Sequence, residues 1–223
     1  MSFSEAQARV AVRLFDLGAV KFGAFRLKLH EKNPDAPLSP IYLNLRTADN
    51  PKPGPLGPED VSACVTVMRD RLLVASLDFQ VVAGVPRAGD PFACVLARQM
   101  AGLGKMVSLL ILEKTEDKDK RLVTSITHGA FGPGFTALVA DDLITRADSK
   151  LEAIRVLEDA GMRVTDVLVL VDREQGGRDE LTRFGYRLHA VFTLRQLVDF
   201  YVEAGKIDAA KRDEVVAYLS ANS

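Results

Sequence analysis

The most constraining feature of the sequence is the segment 137–149, in which an apolar run ends in two acidic residues and a turn and a helix follow. Its first four residues are Ala, Leu, Val and Ala, which suits a strand buried on both faces of a parallel sheet. Asp141 and Asp142 come next, and apolar residues recur at helical spacing from Leu151. We therefore predict a strand, a turn over residues 145–149 and a helix, which together form the basic unit of an α/β fold.

A ligand site is expected at the end of this strand. Open α/β sheets bind ligands outside the carboxyl ends of their strands, and free N–H groups at a helix N-terminus can hold a phosphate. Thr145 and Ser149 add hydroxyl groups to the turn, and Asp141 and Asp142 are placed to hold sugar hydroxyls or a hydrated metal ion. The alternative is a buried strand that ends in a polar turn with an acidic cap, because acidic residues are common near helix starts.

Strand and helix patterns alternate along the chain from residue 80 onward. This alternation predicts a doubly wound, mostly parallel sheet that is flanked by helices. The predicted strands are 80–85, 107–112, the run from 137, 167–171 and an edge strand at 188–192, and the predicted helices are 58–73, 92–100, 193–204 and 208–219.

The N-terminal part is predicted to form a helix followed by two strands in which apolar and polar residues alternate. The helix is predicted from Phe3 to Leu17 with a cap at Ser4, and the strands at 21–29 and 39–45 are expected to form a hairpin. The alternation would let Lys28 and Tyr42 face one cavity. A solvated strand face is the alternative for these two residues.

Composition excludes several classes of partner. The net charge of −1 provides no basic field for nucleic acid or for an anionic membrane. The sequence has no apolar segment long enough to span a bilayer and no signal-peptide pattern. Cys64 and Cys94, the only cysteines, both lie in apolar surroundings. We therefore expect a cytoplasmic protein with buried, reduced thiols and with no membrane or nucleic-acid partner.

A dense run of charges occupies residues 113–120. Such a run is usually a solvated loop. Here it leaves the C-terminal end of a predicted strand, at the same sheet edge as Asp141. A mobile loop that carries lysines at this edge could close over a diphosphate, exclude water and neutralise the charge of a leaving group.

A second ligand segment follows the strand predicted at 167–171. It reads Asp-Arg-Glu-Gln-Gly-Gly from Asp172, and Arg173 can offer a bidentate fork to a carboxylate. Together with the Asp-Asp-Leu-Ile-Thr segment that begins at Asp141, this order of motifs resembles the orotate phosphoribosyltransferases, in particular the domain found in eukaryotic UMP synthase. The segments that also carry the resemblance are 21–28, 39–46, 83–86 and 185–189.

The resemblance implies a type I phosphoribosyltransferase fold, an α/β fold with a central, mostly parallel sheet and a small N-terminal helix-and-hairpin hood. One domain would span residues 1–223, with the hood in residues 1–50 and the α/β core in residues 59–223. The implied reaction transfers a phosphoribosyl group from 5-phosphoribosyl 1-diphosphate to N1 of orotate and yields orotidine 5′-phosphate and diphosphate, with Mg²⁺ as the cofactor. A homodimer is also implied, because the family's mobile loop reaches into the neighbouring subunit's site.

The resemblance also implies roles for individual residues. Lys118 of the mobile loop and Asp142 would be catalytic, and Asp141 and Asp142 would hold the ribose hydroxyls and would meet Mg²⁺ only through water. The residues implied for orotate are Lys28, Tyr42, Leu43, Thr145 and Arg173. The residues implied for phosphoribosyl diphosphate are Arg87, Lys114, Lys118, Lys120, Asp141, Asp142, Leu143, Ile144, Thr145, Arg146, Ala147, Asp148 and Ser149.

Two positions of the phosphate turn leave other functions open. Arg146 stands where the family has a small residue, and Asp148 stands where a hydroxyl residue is usual. A carboxylate in such a turn repels a phosphate unless it points away or a cation compensates it. One alternative is a noncatalytic or regulatory relative that binds a pyrimidine or a nucleotide. The other, a phosphoribosyltransferase for a different base, is disfavoured because Lys28 and Arg173 suit an acidic base.

Overall fold

A six-stranded, mostly parallel sheet forms the centre of the computed structural model, which describes residues 3–26, 30, 33–117 and 120–222. The strands are β1 (Val20–Phe25), β2 (Ser39–Leu43), β3 (Val81–Gly84), β4 (Ser108–Asp117), β5 (Lys120–His128), β6 (Thr136–Ile144), β7 (Arg163–Asp172) and β8 (Arg187–Thr193). The helices are α1 (Glu5–Asp16), α2 (Pro58–Val74), α3 (Asp90–Gly102), α4 (Asp148–Asp159), α5 (Gly177–Arg183), α6 (Leu194–Glu203) and α7 (Ala209–Ala221).

The strand order of this sheet is β5-β4-β3-β6-β7-β8. The pairs from β4 through β8 are parallel, and β5 alone runs antiparallel at the edge. Because β6 pairs in parallel with both β3 and β7, the carboxyl ends of these three strands lie next to one another. The predicted doubly wound, mostly parallel sheet is therefore confirmed, with β8 as the predicted edge strand.

The apolar run of β6 is buried because both faces of the sheet are covered. Ala137 and Val139 belong to one hydrophobic cluster, on the side that also contains Ile154 of α4. Leu138 and Ala140 belong to the main cluster on the other side, with residues of α2, α3, α6 and α7. This two-sided burial explains why the strand reads as a continuous apolar run and not as an alternating one.

The N-terminal segment shares the main core with the rest of the chain. The predicted cap at Ser4 is confirmed, since its side chain accepts a hydrogen bond from the Gln7 N–H in a capping box. The Tyr201 hydroxyl of α6 donates to the Ala11 carbonyl of α1 at 2.9 Å. β1 and β2 form the expected antiparallel hairpin, and Ile41 of β2 is fully buried.

The charged segment 113–120 was expected to be a loop, and this expectation is wrong for the described residues. β4 continues to Asp117 and pairs antiparallel with β5, with Glu113 opposite Ser125. Leu112 and Val123 are buried, whereas Glu113 is exposed and Lys114 is partly exposed. Pairing with β5 satisfies the backbone N–H and C=O groups of residues 113–117, so a segment with many charges can still form a strand. Composition alone does not reveal this pairing and therefore predicted a loop.

The short helix α5 was not predicted from the sequence, and one cysteine prediction was wrong. Both thiols are free, but only Cys64 is buried, and burial raises its pKa to about 12. Cys94 is exposed on α3. In the part of the chain that the structure describes, every helix is too short or too polar to cross a bilayer.

The bond between Tyr201 and Ala11 gives a test of how the N-terminal helix is held. Tyr201→Phe removes a fully buried hydroxyl that links α6 to α1, so we expect a loss of about 0.5–1.5 kcal/mol in the free energy of unfolding. Urea denaturation followed by circular dichroism measures it. Tyr186→Phe is the matched control, since its hydroxyl bonds to Glu158 in an exposed pair. Equal losses for both variants would contradict this account.

Candidate active site

The candidate site lies where β3, β6 and β7 end side by side. The Val85 N–H after β3 donates to the Ala140 carbonyl of β6 at 3.0 Å, and the Arg173 N–H after β7 donates to the Ile144 carbonyl at 2.9 Å. A Cβ atom on Gly84 would come within 2.7 Å of the Asp90 backbone. Only a glycine allows α3 to begin so close to the end of β3. The three strand exits therefore form one continuous sheet edge.

The turn after β6 is shorter than predicted. It was expected to span residues 145–149, but α4 already begins at Asp148. Arg146 and Asp148 are exposed, Thr145 and Ser149 are partly exposed, and Ala147 is buried. Three residues therefore separate the end of β6 from the start of α4, whose N-terminal N–H groups are the kind that can hold a phosphate.

Asp141 is held by a buried lysine that the sequence analysis missed. The Lys150 Nζ lies 2.5 Å from Asp141 Oδ2 and donates to the Leu143 carbonyl at 2.7 Å. The Asp142 N–H donates to Asp141 Oδ1 at 2.9 Å, so each carboxylate oxygen of Asp141 has a partner inside the protein. A signal was available in the sequence, because Lys150 shares the buried face of α4 with Ile154 at helical spacing.

Asp142 is buried and interacts with the side chain of Asp141. Its Oδ1 accepts a hydrogen bond from the Leu143 N–H at 2.7 Å. Burial, followed by the neighbouring charge of Asp141, raises the pKa of the Asp142 carboxyl, while Lys150 opposes the rise. A site that holds Asp142 ionised must therefore supply a positive or hydrogen-bonding partner.

A third carboxylate, that of Asp90 at the start of α3, faces the same edge. Its Oδ1 is buried without a hydrogen-bond partner among the described residues. Burial raises the pKa of Asp90 to about 6, Asp141 adds to the rise, and Arg87 and Lys114 lower it. The structure thus brings Arg87 and Lys114 into electrostatic contact with one acidic group, as expected for two cations on one side of a site.

Arg173, which directly follows β7, carries a buried guanidinium group. It is 8% exposed, and its Nε and Nη2 atoms have no hydrogen-bond partner among the described residues. Burial lowers the pKa of Arg173, and the phenol groups of Tyr218 and Tyr42 act in the opposite direction. Buried charges are normally paired, so the guanidinium of Arg173 is suited to bind an anionic ligand such as a carboxylate.

Tyr42 and Tyr218 come to Arg173 from different elements. Tyr42 is partly buried on β2, with its ring centroid 5.6 Å from that of Phe25. Leu43, the next residue, is 5% exposed and lies in the main core. Tyr218 lies on α7, and its buried hydroxyl has no partner in the described part of the chain. Sequence reasoning missed Tyr218, because only the packing of α7 on β2 places it there.

An internal carboxylate occupies part of the phosphate turn. Glu180 Oε2 of α5 accepts a hydrogen bond from the Ala147 N–H at 2.7 Å, and Glu180 Oε1 lies 3.4 Å from Arg146 Nη1. A Cβ atom on Gly177 would come within 2.6 Å of Ile144, so this glycine allows α5 to approach the turn. Arg146 thus pairs with Glu180, and no sequence signal predicted that contact.

Three predicted site residues cannot be placed. Lys28 and Lys118 lie outside the described residues, and so does the side chain of Lys120. The remaining candidates from β3, β4, β6 and β7 meet at one edge. Chemically, this edge offers a cation for a carboxylate, backbone N–H groups for a phosphate and free carboxylate oxygens for hydroxyl groups or a hydrated metal ion.

The pKa of Asp90 gives a test of this electrostatic arrangement. A carboxyl whose pKa is higher in the folded protein binds its proton more tightly there, so stability falls as the pH rises from about 4 to about 6. Asp90→Asn removes this loss. We expect its free energy of unfolding, relative to wild type, to rise by about 1–2 kcal/mol between about pH 4 and about pH 7.5, after allowance for partial solvent exposure.

Urea denaturation of both proteins at the two pH values measures the difference, and the contribution of Asp142 cancels because both proteins contain it. A difference that does not change with pH would show that the Asp90 carboxyl is solvated in the folded protein.

Comparison with known proteins identifies the family. The chain is 32% identical over 201 residues to an orotate phosphoribosyltransferase of Chlamydia caviae, which covers 89% of the chain and 88% of that protein. It is 33% identical over 213 residues to the uridine 5′-monophosphate synthase of Bos taurus, with 94% of the chain covered. The chain spans about 40% of the length of that synthase. No family model matches the chain.

A solved structure agrees with the sequence relatives. The UMP synthase of Leishmania donovani superposes with a TM-score of 0.75 at 28% identity, over 97% of this chain and 42% of that one. The sequence match to the Chlamydia caviae protein extends over nearly the full length of both chains. This chain therefore belongs to the orotate phosphoribosyltransferase family.

Proposed function

We propose that this protein transfers the phosphoribosyl group of 5-phosphoribosyl 1-diphosphate to N1 of orotate and releases diphosphate, a step in pyrimidine synthesis. The observation that carries the proposal is the buried guanidinium of Arg173, whose Nε and Nη2 have no partner among the described residues and whose backbone N–H bonds to Ile144 before the turn between β6 and α4. The carboxylate of a base such as orotate would accept hydrogen bonds from Arg173. The phosphate of a phosphoribosyl group would accept hydrogen bonds from the N–H groups of the turn. The names of the relatives in the same family support this pairing of substrates.

Orotate is proposed to bind between β2 and the exits of β6 and β7. Its carboxylate would accept hydrogen bonds from Arg173, and its ring would lie beside Tyr42. Thr145 is proposed to contact both substrates. Its carbonyl accepts a hydrogen bond from the Gly177 N–H at 3.1 Å, which links the β6 turn to the segment that follows Arg173 and supports this role. Lys28 remains a proposed orotate ligand, whereas Leu43 would act from the core behind the strand.

Phosphoribosyl diphosphate is proposed to bind along the β6 turn. The N–H groups at the start of α4 would hold the 5′-phosphate, with the hydroxyls of Thr145 and Ser149 beside it. A carboxylate oxygen of Asp142 would accept hydrogen bonds from the ribose hydroxyls. Arg87 and Lys114, which already act electrostatically on Asp90, would neutralise the diphosphate.

The proposed chemistry is a displacement at the anomeric carbon. N1 of the pyrimidine attacks while the bond to diphosphate breaks, and positive charge develops on the ribose. The protein's contribution is to position two anions and to stabilise the leaving diphosphate with cations. A cation near the diphosphate acts mainly on the rate, because leaving-group charge grows toward the transition state. Lys118 is proposed for this role, and Lys120 for diphosphate binding.

The carboxylates at this edge fit Mg²⁺ as an ion carried by the diphosphate. Mg²⁺ usually keeps several waters and binds through one or two carboxylates and substrate phosphates. The Oδ1 of Asp90, which has no partner among the described residues, and the carboxylate of Asp142 are suited to hold it, whereas Asp141 is paired with Lys150. When bound, Mg²⁺ supplies further neutralisation of the leaving group.

The proposal extends to assembly and location. We propose a homodimer in which the β4–β5 hairpin reaches the site of the neighbouring copy, with Lys118 lying in the sequence between the end of β4 and the start of β5. We also propose a cytoplasmic location, which two free cysteines favour.

A noncatalytic protein that binds a pyrimidine or a nucleotide is the second candidate, favoured by the Glu180 carboxylate on the Ala147 N–H. An absorbance assay of orotate consumption, with phosphoribosyl diphosphate and Mg²⁺, separates the two candidates. The first predicts turnover that yields orotidine 5′-phosphate. Orotate binding without turnover would contradict it and support the second.

Arg173→Ala tests the orotate half-site. We expect orotate affinity to fall by about tenfold or more, because a buried carboxylate loses a charged hydrogen-bond partner. Calorimetry measures the affinity, and Arg183→Ala on the exposed end of α5 is the control for the loss of a positive charge. Unchanged affinity in folded Arg173→Ala would remove Arg173 from the site.

Glu180→Gln tests the phosphate half-site. The amide keeps an acceptor for the Ala147 N–H but removes a negative charge from the turn, so we expect severalfold tighter binding of phosphoribosyl diphosphate at fixed ionic strength. Glu158→Gln, at the other end of α4, is the matched control. Weaker or unchanged binding in Glu180→Gln would mean that the carboxylate only caps the helix.

A further inference from the structure

Two polar side chains near the exit of β7 are buried without partners. Arg173 and Tyr218 are each 8% exposed. The Tyr218 hydroxyl and the Nε and Nη2 atoms of Arg173 find no hydrogen-bond partner among the described residues, so these atoms do not bond to one another. Buried polar groups are nearly always paired, and each of these groups therefore needs an explanation.

A bridge through Arg195, near the start of α6, holds the end of α7 beside the segment that carries Arg173. The Arg195 N–H donates to Glu174 Oε2 at 2.8 Å, and Arg195 Nη2 donates to Ser220 Oγ at 3.1 Å. Glu174 directly follows Arg173, and Ser220 lies two residues after Tyr218 on α7. Hydrogen bonds therefore connect the neighbours of the two unpartnered side chains.

The packing of α7 on β2 brings Tyr218 to the same side of Arg173 as Tyr42. Tyr218 shares the main hydrophobic cluster with Leu43, which is the neighbour of Tyr42 on β2. Both phenol groups act to raise the pKa of Arg173, and Tyr218 does so more strongly than Tyr42. The Tyr218 hydroxyl is thus within electrostatic reach of the guanidinium but is not hydrogen-bonded to Nε or Nη2. A carboxylate can accept hydrogen bonds from both groups at once, because each of its oxygens has two acceptor sites.

We propose that Tyr218 is a specificity-determining residue of the base site, where its hydroxyl donates a hydrogen bond to the carboxylate that also pairs with Arg173. The inference rests on the proposed function and adds the last helix of the fold to the recognition of orotate. A neutral pyrimidine without a carboxylate would leave both the hydroxyl and the guanidinium buried and unpaired. A site built in this way rejects such a base, because unpaired buried polar groups are costly.

The test removes one hydroxyl and follows two ligands. Tyr218→Phe keeps the ring and deletes only the oxygen that has no partner in the described part of the chain. Tyr186→Phe is the matched control, since it deletes a phenol oxygen that bonds to Glu158 in an exposed pair. Calorimetry on the full chain, with orotate and separately with phosphoribosyl diphosphate and Mg²⁺ as probes, gives the affinities, and thermal unfolding gives the melting temperatures.

We expect Tyr218→Phe to bind orotate about tenfold more weakly than wild type and phosphoribosyl diphosphate within about threefold of wild type, because only orotate loses a hydrogen bond to a charged group. Its melting temperature should not fall, since the deleted hydroxyl has no partner in the described part of the free protein. Tyr186→Phe should bind both ligands as wild type does.

Unchanged orotate affinity in Tyr218→Phe would make Tyr218 a core residue only, and would overturn the inference while the proposed function stands. An equal loss of affinity for both ligands, or a lower melting temperature with the same loss in Tyr186→Phe, would indicate a general disturbance and would also overturn it. If wild type does not bind orotate, the proposed function is overturned, and the inference with it.

Discussion

The parallel pairing of β6 with β3 on one side and with β7 on the other determines where the candidate site residues lie. Because all three strands run the same way, their exits meet at one edge, and backbone hydrogen bonds from Val85 and Arg173 join neighbouring exits to β6. Each exit brings a different chemical group: a carboxylate from β3, a phosphate-type turn from β6 and a guanidinium from β7. The site is a consequence of strand order.

The charged groups at this edge differ in how far partners inside the protein neutralise them. Asp141 and Lys150 neutralise each other inside the protein. Asp142 is buried and Asp90 is partly buried, and this loss of contact with water raises the pKa of both carboxyl groups. Arg173 is buried, and its Nε and Nη2 atoms find no hydrogen-bond partner in the described part of the chain. Under the proposed function, the carboxylate of orotate would pair with Arg173, and a cation carried by the diphosphate would pair with Asp90 and Asp142.

Much of this arrangement follows from local sequence. The apolar run of β6, the cap at Ser4 and the alternation of strands and helices rest on periodicity and capping, which short segments reveal. The β4–β5 hairpin was missed because residues 113–117 have the composition of a solvated loop, and their strand partner lies beyond them in the sequence. Arg173 was predicted as a site residue because the motif that contains it directly continues the apolar run of β7.

Contacts between distant elements account for the residues that were missed. Glu180 reaches the β6 turn only because Gly177 allows α5 to approach it, and Tyr218 reaches Arg173 only through the packing of α7. Lys150 differs from these, since it interrupts an apolar helical face with a charge. A lysine at such a position signals a buried ion pair, although the spacing does not name its partner.

The central claim is that the exits of β6 and β7 form one continuous site for a base and a phosphoribosyl group. Orotidine 5′-phosphate joins both parts covalently, so it tests the claim directly in a displacement experiment with wild-type protein. The account predicts that this nucleotide competes with both orotate and phosphoribosyl diphosphate, so that saturation with either weakens its apparent affinity. Competition with only one of them would contradict a continuous site and would separate the Arg173 pocket from the turn before α4.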